Sequence, residues 1–289
     1  MKLFAWILLF TNLSSAQLPT QPTDAAHPGS AAYPFTLQQE KLKINNRSVD
    51  IFLPQEAKSS GKKVPVIVFG HGQAIDVLGY ELTFKHLARK GIAVIHPTFD
   101  SGFFDQDWHR MADDFNELTA SALTKYSDYL DSSKVIYSGH SKGGYVSLVA
   151  AGSASLNRFG IKISSLIYFA PAGYDKAYLN NIDPNIPVTL VWSDSDSIIK
   201  QNAIVEIYNN LPSKKKQWIL AKSYDSLKAD HFFVLNKSYF FGGQNGVTAY
   251  HYFAIWKWLI GAAFSNSYLY GPEAMDTGVL GLNHQITHN

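Results

Sequence analysis

The stretch Lys134-Val135-Ile136-Tyr137-Ser138-Gly139-His140-Ser141-Lys142-Gly143-Gly144 decides how the rest of the chain is understood. It opens as a short apolar run with β-branched residues, the pattern of a strand buried on both faces in a parallel sheet. It then sets Ser141 between two glycines, each two positions away. Glycine costs conformational entropy wherever it sits, so this spacing marks a turn too tight for Cβ atoms at 139 and 143. Lys142 to Ala151 follows with helix-compatible residues. Strand, tight turn and helix in this order describe a nucleophile elbow, which strains the backbone of its serine and exposes the hydroxyl. The start of the helix also turns backbone N–H groups toward any negative charge developing near the serine oxygen. His140 precedes the serine and is expected on the opposite side, packed beneath the elbow.

Outward from the elbow, continuous β-branched runs recur at Val64 to Phe69, Ile92 to Ile95, Ile163 to Ala170, Val188 to Trp192 and Gln217 to Ala221. Amphipathic segments alternate with them. Trp108, Met111, Phe115, Leu118 and Ala122 recur at steps of three and four, which marks one helix face. Tyr80 to Lys90, Lys200 to Leu211 and Val247 to Ala262 are further helix candidates. Upstream, Thr36 to Ile44 and Ser48 to Leu53 flank Asn45-Asn46-Arg47, which predicts a hairpin. The fold class is therefore α/β: a mostly parallel central sheet with an N-terminal antiparallel hairpin and helices on both faces.

A serine hydroxyl is a poor nucleophile until an oriented base takes its proton. The run ending at Trp192 leads into Ser193-Asp194-Ser195-Asp196-Ser197, which places two carboxylates at the C-terminal end of a strand, where open α/β sheets hold their sites. The last run leads to Ala229-Asp230-His231-Phe232-Phe233. Ser141, Asp196 and His231 follow the chain order nucleophile, acid, base. Asp194 competes with Asp196 within the same loop. His251 competes with His231 but sits among Tyr250, Tyr252, Phe253, Trp256 and Trp258, the setting of a core histidine. Two backbone amides are expected to receive the oxyanion, those of Lys142 and of Gln73, the latter on the glycine-flanked turn Gly70-His71-Gly72-Gln73. Tyr80, Phe103, Phe104 and Trp108, on or near loops after strand ends, are candidates for an apolar substrate pocket. There is no H-E-x-x-H and no His and Asp cluster at ligand spacing, so neither metal nor other cofactor is expected.

The chain of 289 residues is 46% hydrophobic and carries a net charge of only +2, which suits a large folded core and excludes a cationic nucleic-acid surface. Its longest basic run, Lys214-Lys215-Lys216, is expected as a solvated turn. Met1-Lys2, an apolar run from Leu3 to Phe10 and small residues up to Ala16 have the order of a secretory signal cut after Ala16. The apolar run is too short to cross a membrane, which takes about 20 residues. Residues 17–35 are expected as a flexible lead-in, 36–264 as the folded domain and 265–289 as a polar tail. A secreted or periplasmic location is expected, with no transmembrane anchor in the mature chain. No cysteine supplies a disulfide.

On these residues the chain resembles the α/β-hydrolase superfamily across most of Leu37 to Ala262. The segments F-G-H-G-Q-A, Leu87 to Ile95, G-H-S-K-G-G and A-D-H-F are similar to its dienelactone-hydrolase-like branch, which includes chlorophyllases, platelet-activating-factor acetylhydrolases and bacterial polyester-degrading cutinases. The resemblance implies a serine esterase working through an acyl-enzyme on a small-molecule or lipid-like ester. It implies Ser141 as nucleophile, Asp196 as acid, His231 as base, and the amides of Gln73 and Lys142 as the oxyanion site. The bacterial cutinases carry an aromatic where this chain has His140, a tryptophan where it has Ala172, and a disulfide. The elbow, with a basic residue after the serine, is nearer the chlorophyllase pattern. The same triad would also serve an amidase or peptidase, and the fold without catalysis would make a secreted binding protein.

Overall fold

The computed structural model describes residues 20–100, 102, 104–223, 227–236, 246–264 and 285–288. The expected signal segment 1–16, Phe103 and residues 265–284 of the tail lie outside these. Among the described residues, nine strands form one sheet: β1 (Leu37–Ile44), β2 (Arg47–Pro54), β3 (Val64–Gly70), β4 (Ala93–Pro97), β5 (Leu130–His140), β6 (Ile163–Phe169), β7 (Val188–Ser193), β8 (Lys216–Ala221) and β9 (Gln285–His288). Their spatial order is β1-β2-β4-β3-β5-β6-β7-β8-β9. β3 to β8 pair in parallel, and the hairpin and β9 add antiparallel edges. The helices are α1 (Ala57–Ser60), α2 (Glu81–Arg89), α3 (Trp108–Lys125), α4 (Lys142–Ala151), α5 (Ala154–Arg158), α6 (Lys176–Leu179), α7 (Gln201–Asn210) and α8 (Trp256–Phe264), the last entered through a π-helical turn at His251–Ile255.

The continuous apolar runs take their meaning from period-two alternation across the sheet. Val66, Val68, Tyr137, Tyr168 and Leu190 point into one core, against Met111 and Phe115 of α3, Val146 of α4 and Ile204 of α7. Their neighbours Ile67, Phe69, Ile136, Ile167 and Val191 point into a second core, against Phe84 and Leu87 of α2 and Trp256 and Trp258 of α8. Each parallel strand is thus apolar throughout because both faces are covered. The hairpin turns at Asn45 and Asn46, whose φ angles of 48° and 65° asparagine accepts more readily than most residues. Arg47 pairs with Ile44 and belongs to the strand.

Residues 20–35, expected as part of a lead-in, make contacts with α2 and the residue after it. They form no strand or helix, yet Ser30 is fully buried. Lys90 Nζ donates to Ser30 Oγ and to the Ala32 carbonyl, each at 2.8 Å. His86 bonds the Pro28 carbonyl at 2.8 Å. In the tail, Gln285–His288 extends the sheet beside β8, which composition did not announce. Among the described residues, no helix is long and apolar enough to cross a membrane.

Candidate active site

β5 ends at His140 and α4 begins at Lys142, so Ser141 alone makes the turn between them. Its backbone sits at φ 53°, ψ −120°, a conformation that costs a non-glycine residue about 1–3 kcal/mol and persists only where its surroundings enforce it. Here they do. The Ser141 N–H donates to the Phe169 carbonyl at 3.0 Å, and its carbonyl accepts from Ala172 at 3.0 Å and Tyr145 at 3.1 Å. The glycines answer a close approach: a Cβ on Gly143 would stand 2.2 Å from the Gly70 carbonyl group, and one on Gly139 would stand 2.6 Å from that of Gly143. Gly143 of α4 can therefore meet the end of β3 only without a side chain.

His231 and Asp196 come together at the ends of β8 and β7. His231 Nδ1 lies 2.8 Å from Asp196 Oδ2, with both side chains buried. A carboxylate oxygen accepts, so Nδ1 carries a proton, and in the neutral ring that leaves the lone pair on Nε2. Asp196 Oδ1 accepts the N–H groups of Ile198 and Ile199 at 2.9 and 2.8 Å, which fixes the carboxylate. Asp194, the competitor, turns outward: Oδ2 accepts from the Ser223 N–H at 2.9 Å and Oδ1 from its hydroxyl at 2.6 Å. Ser141 and His231 line one pocket of about 150 Å³, together with Gln73, Ile75, His140, Ile198 and Phe232.

Gln73 lies on that pocket wall, and Lys142 is the first residue of α4, whose opening N–H groups have no acceptor within the helix. The Lys142 side chain turns away from the pocket into the fold, where its ammonium meets Asp100 Oδ2 at 2.9 Å. Beside it, His71 Nδ1 donates to the Gly72 carbonyl at 3.0 Å, and its ring stacks on Phe99 at 4.3 Å. Burial pulls the His71 pKa below its ordinary value, and nearby Asp100 partly opposes that. A second cavity, of about 670 Å³, adjoins the first through Ile75 and is lined by Asp50, His71, Asp76, Leu78, His96 and Asp100 among others. Among the described residues, no three His, Asp or Glu side chains are grouped to hold a metal ion.

A family model described as chlorophyllase matches residues 33–217. The chain belongs to the chlorophyllase family. This family is one of ester hydrolases of the α/β-hydrolase type, in keeping with the largely parallel sheet. No curated protein matches the chain. The span matched to the chlorophyllase model contains Gln73, Ser141, Lys142 and Asp196 and ends before His231, so His231 rests on its contact with Asp196.

The aromatic residues expected to line a substrate pocket divide. Tyr80 is corrected: only 1% of it is exposed, and its hydroxyl accepts the Gly72 N–H at 2.9 Å beneath the site. It stands at the start of α2, and its ring packs on Phe69 of β3 and Phe84 of α2, so it belongs to the core. Trp108 is corrected likewise, since it packs on Tyr145 at 4.5 Å and on the core around α3. Phe104 is 86% exposed and lines neither cavity. Phe103 lies outside the described residues. The walls are instead Ile75, Ile198 and Phe232, each one or two residues from a candidate catalytic or oxyanion residue, and that adjacency was the available signal. His140 is buried as expected, and burial beside His231 holds its pKa well below the usual value. His251 is fully buried and accepts the Thr248 N–H at 3.0 Å, a core histidine.

Proposed function

We propose that the protein is a serine esterase that cleaves carboxylic esters through an acyl-enzyme. The observation that carries this is the 2.8 Å contact of His231 Nδ1 with Asp196 Oδ2, made behind the pocket that His231 shares with the strained Ser141. His231 Nε2 takes the hydroxyl proton as Ser141 Oγ attacks the acyl carbon, and the carbonyl electron pair moves onto oxygen. The N–H groups of Lys142 and Gln73 receive that charge, each worth on the order of 3 kcal/mol. The tetrahedral species collapses, the ester C–O bond breaks, and His231 passes its proton to the departing alkoxide. Water then attacks the acyl-enzyme with His231 again as base, and the carboxylic acid leaves. Asp196 keeps the imidazole in the productive tautomer and stabilises its cationic form.

In this proposal the small pocket takes the group nearest the reacting carbon, and the cavity beyond Ile75 takes the bulkier half of the ester. Export belongs to the proposal too, on the basic, apolar and small-residue order of residues 1–16. The test is turnover of p-nitrophenyl esters of increasing acyl length together with labelling by a fluorophosphonate. Saponification and labelling that vanish in Ser141→Ala support the proposal. A wild-type protein that is folded, unlabelled and inert toward every ester rejects it.

A further inference from the structure

Three hydrogen bonds run in series beneath the candidate site. The Gly72 N–H lies 2.9 Å from Tyr80 Oη, Tyr80 Oη lies 2.9 Å from His140 Nδ1, and His140 Nε2 lies 2.9 Å from the carbonyl oxygen of His231. With His140 neutral, as its burial favours, the ends fix every direction between them. A backbone N–H only donates, so Tyr80 Oη accepts from Gly72 and its own hydrogen is left for His140 Nδ1. A carbonyl only accepts, so His140 Nε2 must carry a proton. Burial favours the neutral form of His140, and the neutral ring is then the Nε2–H tautomer, its Nδ1 lone pair accepting from the tyrosine.

The series ties together three pieces that are far apart in the chain. Gly72 precedes Gln73 on the oxyanion turn, His140 precedes Ser141 on the elbow, and His231 is the base. We infer that Tyr80 and His140 form a strut that sets the oxyanion turn, the nucleophile and the base at their working separations, acting as positioning residues for the esterase reaction proposed above. An apolar residue at 140 would strand a buried hydroxyl and a buried carbonyl at once. The strut also keeps a second positive charge away from the base, since the rings of His140 and His231 have their centres 4.7 Å apart. A cationic His140 would oppose the imidazolium that His231 becomes. Burial of both members favours their neutral forms: it raises the Tyr80 pKa and depresses that of His140.

The inference rests on the esterase reading, and the experiment separates the two. In wild-type protein labelled with ¹⁵N, the ring nitrogens of His140 are assigned by difference against His140→Gln. Protonated Nε2 with bare Nδ1 across the pH range of activity is the expected result, and the other tautomer or a cation in that range overturns the strut. In kinetics, Tyr80→Phe and His140→Leu are expected to lower kcat about 10- to 100-fold with KM within about threefold. His140→Gln, which keeps an N–H donor near the position of Nε2, is expected to recover most of the loss. Equal losses in His140→Leu and His140→Gln, or losses carried by KM, overturn the inference. If a variant does not fold, the wild-type tautomer still decides. A wild-type chain that neither turns over esters nor reacts with the fluorophosphonate rejects the esterase reading, while the tautomer measurement still judges the strut.

Discussion

Asp194 and Asp196 occupy one loop, two residues apart, and the turn between them gives them opposite surroundings. Asp196 faces inward to two backbone N–H groups and His231, whereas Asp194 staples the loop to Ser223. Asp196→Asn is expected to lower kcat on the order of 10³- to 10⁴-fold, because an amide favours the wrong imidazole tautomer. Asp194→Asn is expected to change kcat by less than about threefold. Steady-state turnover of one p-nitrophenyl ester decides between them, and the reverse ranking would exchange their roles. Ile75 separates the two cavities. Ile75→Trp should therefore reduce kcat/KM for bulky esters at least about tenfold relative to the acetyl ester, and an unchanged ratio would remove the larger cavity from the substrate path. At this scale the sequence pointed to the contact of Asp196 with His231 through order along the chain and position at strand ends. It could not show that Tyr80 points inward, because an aromatic at the start of a helix faces pocket or core according to how that helix is seated.

The turn at Ser141 is the element whose geometry was most legible, since its glycines answer a contact between two backbones and no side-chain adjustment can replace them. Gly143→Ala drives a Cβ to 2.2 Å from the Gly70 carbonyl group. Neither backbone can yield without disturbing β3 or α4, so a loss of about 1–3 kcal/mol or more is expected, measured as a lowered urea midpoint. Unchanged stability would show that α4 does not cross β3 this closely. The hairpin was equally legible from its two asparagines. The π-helical turn at His251–Ile255 and the edge strand Gln285–His288 were not. The first depends on one misplaced hydrogen bond within a uniformly apolar segment, and the second on a polar stretch finding an open edge.

Across the described residues of the fold, burial favours the neutral form of five histidines. Burial lowers His86 to about 3 and His251 to about 4, and it depresses His71, His96 and His140 as well. In the unfolded chain these rings take up protons near pH 6.5, whereas in the folded protein they resist until the pH is much lower. The unfolded state thus binds more protons in this window. Stability is present above about pH 6.5 and falls as the pH drops toward 4, with each ring contributing up to about 1.4 kcal/mol per pH unit. Denaturant titrations at pH 7.5, 6.0 and 5.0 should show a steepening loss before the carboxylates titrate, and a flat profile above pH 5 would contradict the burial. The layered fold itself was legible because parallel strands covered on both faces can tolerate nothing but apolar residues. The packing of residues 20–35 was not, since it relies on single contacts such as Lys90 with Ser30.

The ion pair of Lys142 with Asp100 has its own bearing on access to the site. Pulling the segment after β4 outward would abandon an ammonium group inside the protein, and breaking such a pair costs about 3–5 kcal/mol. That side of the entrance behaves as a fixed jamb. Room for an oversized guest has to come from Ala74 to Leu78, which line the same cavity, and amide exchange should run faster there than at Thr98 to Asp100.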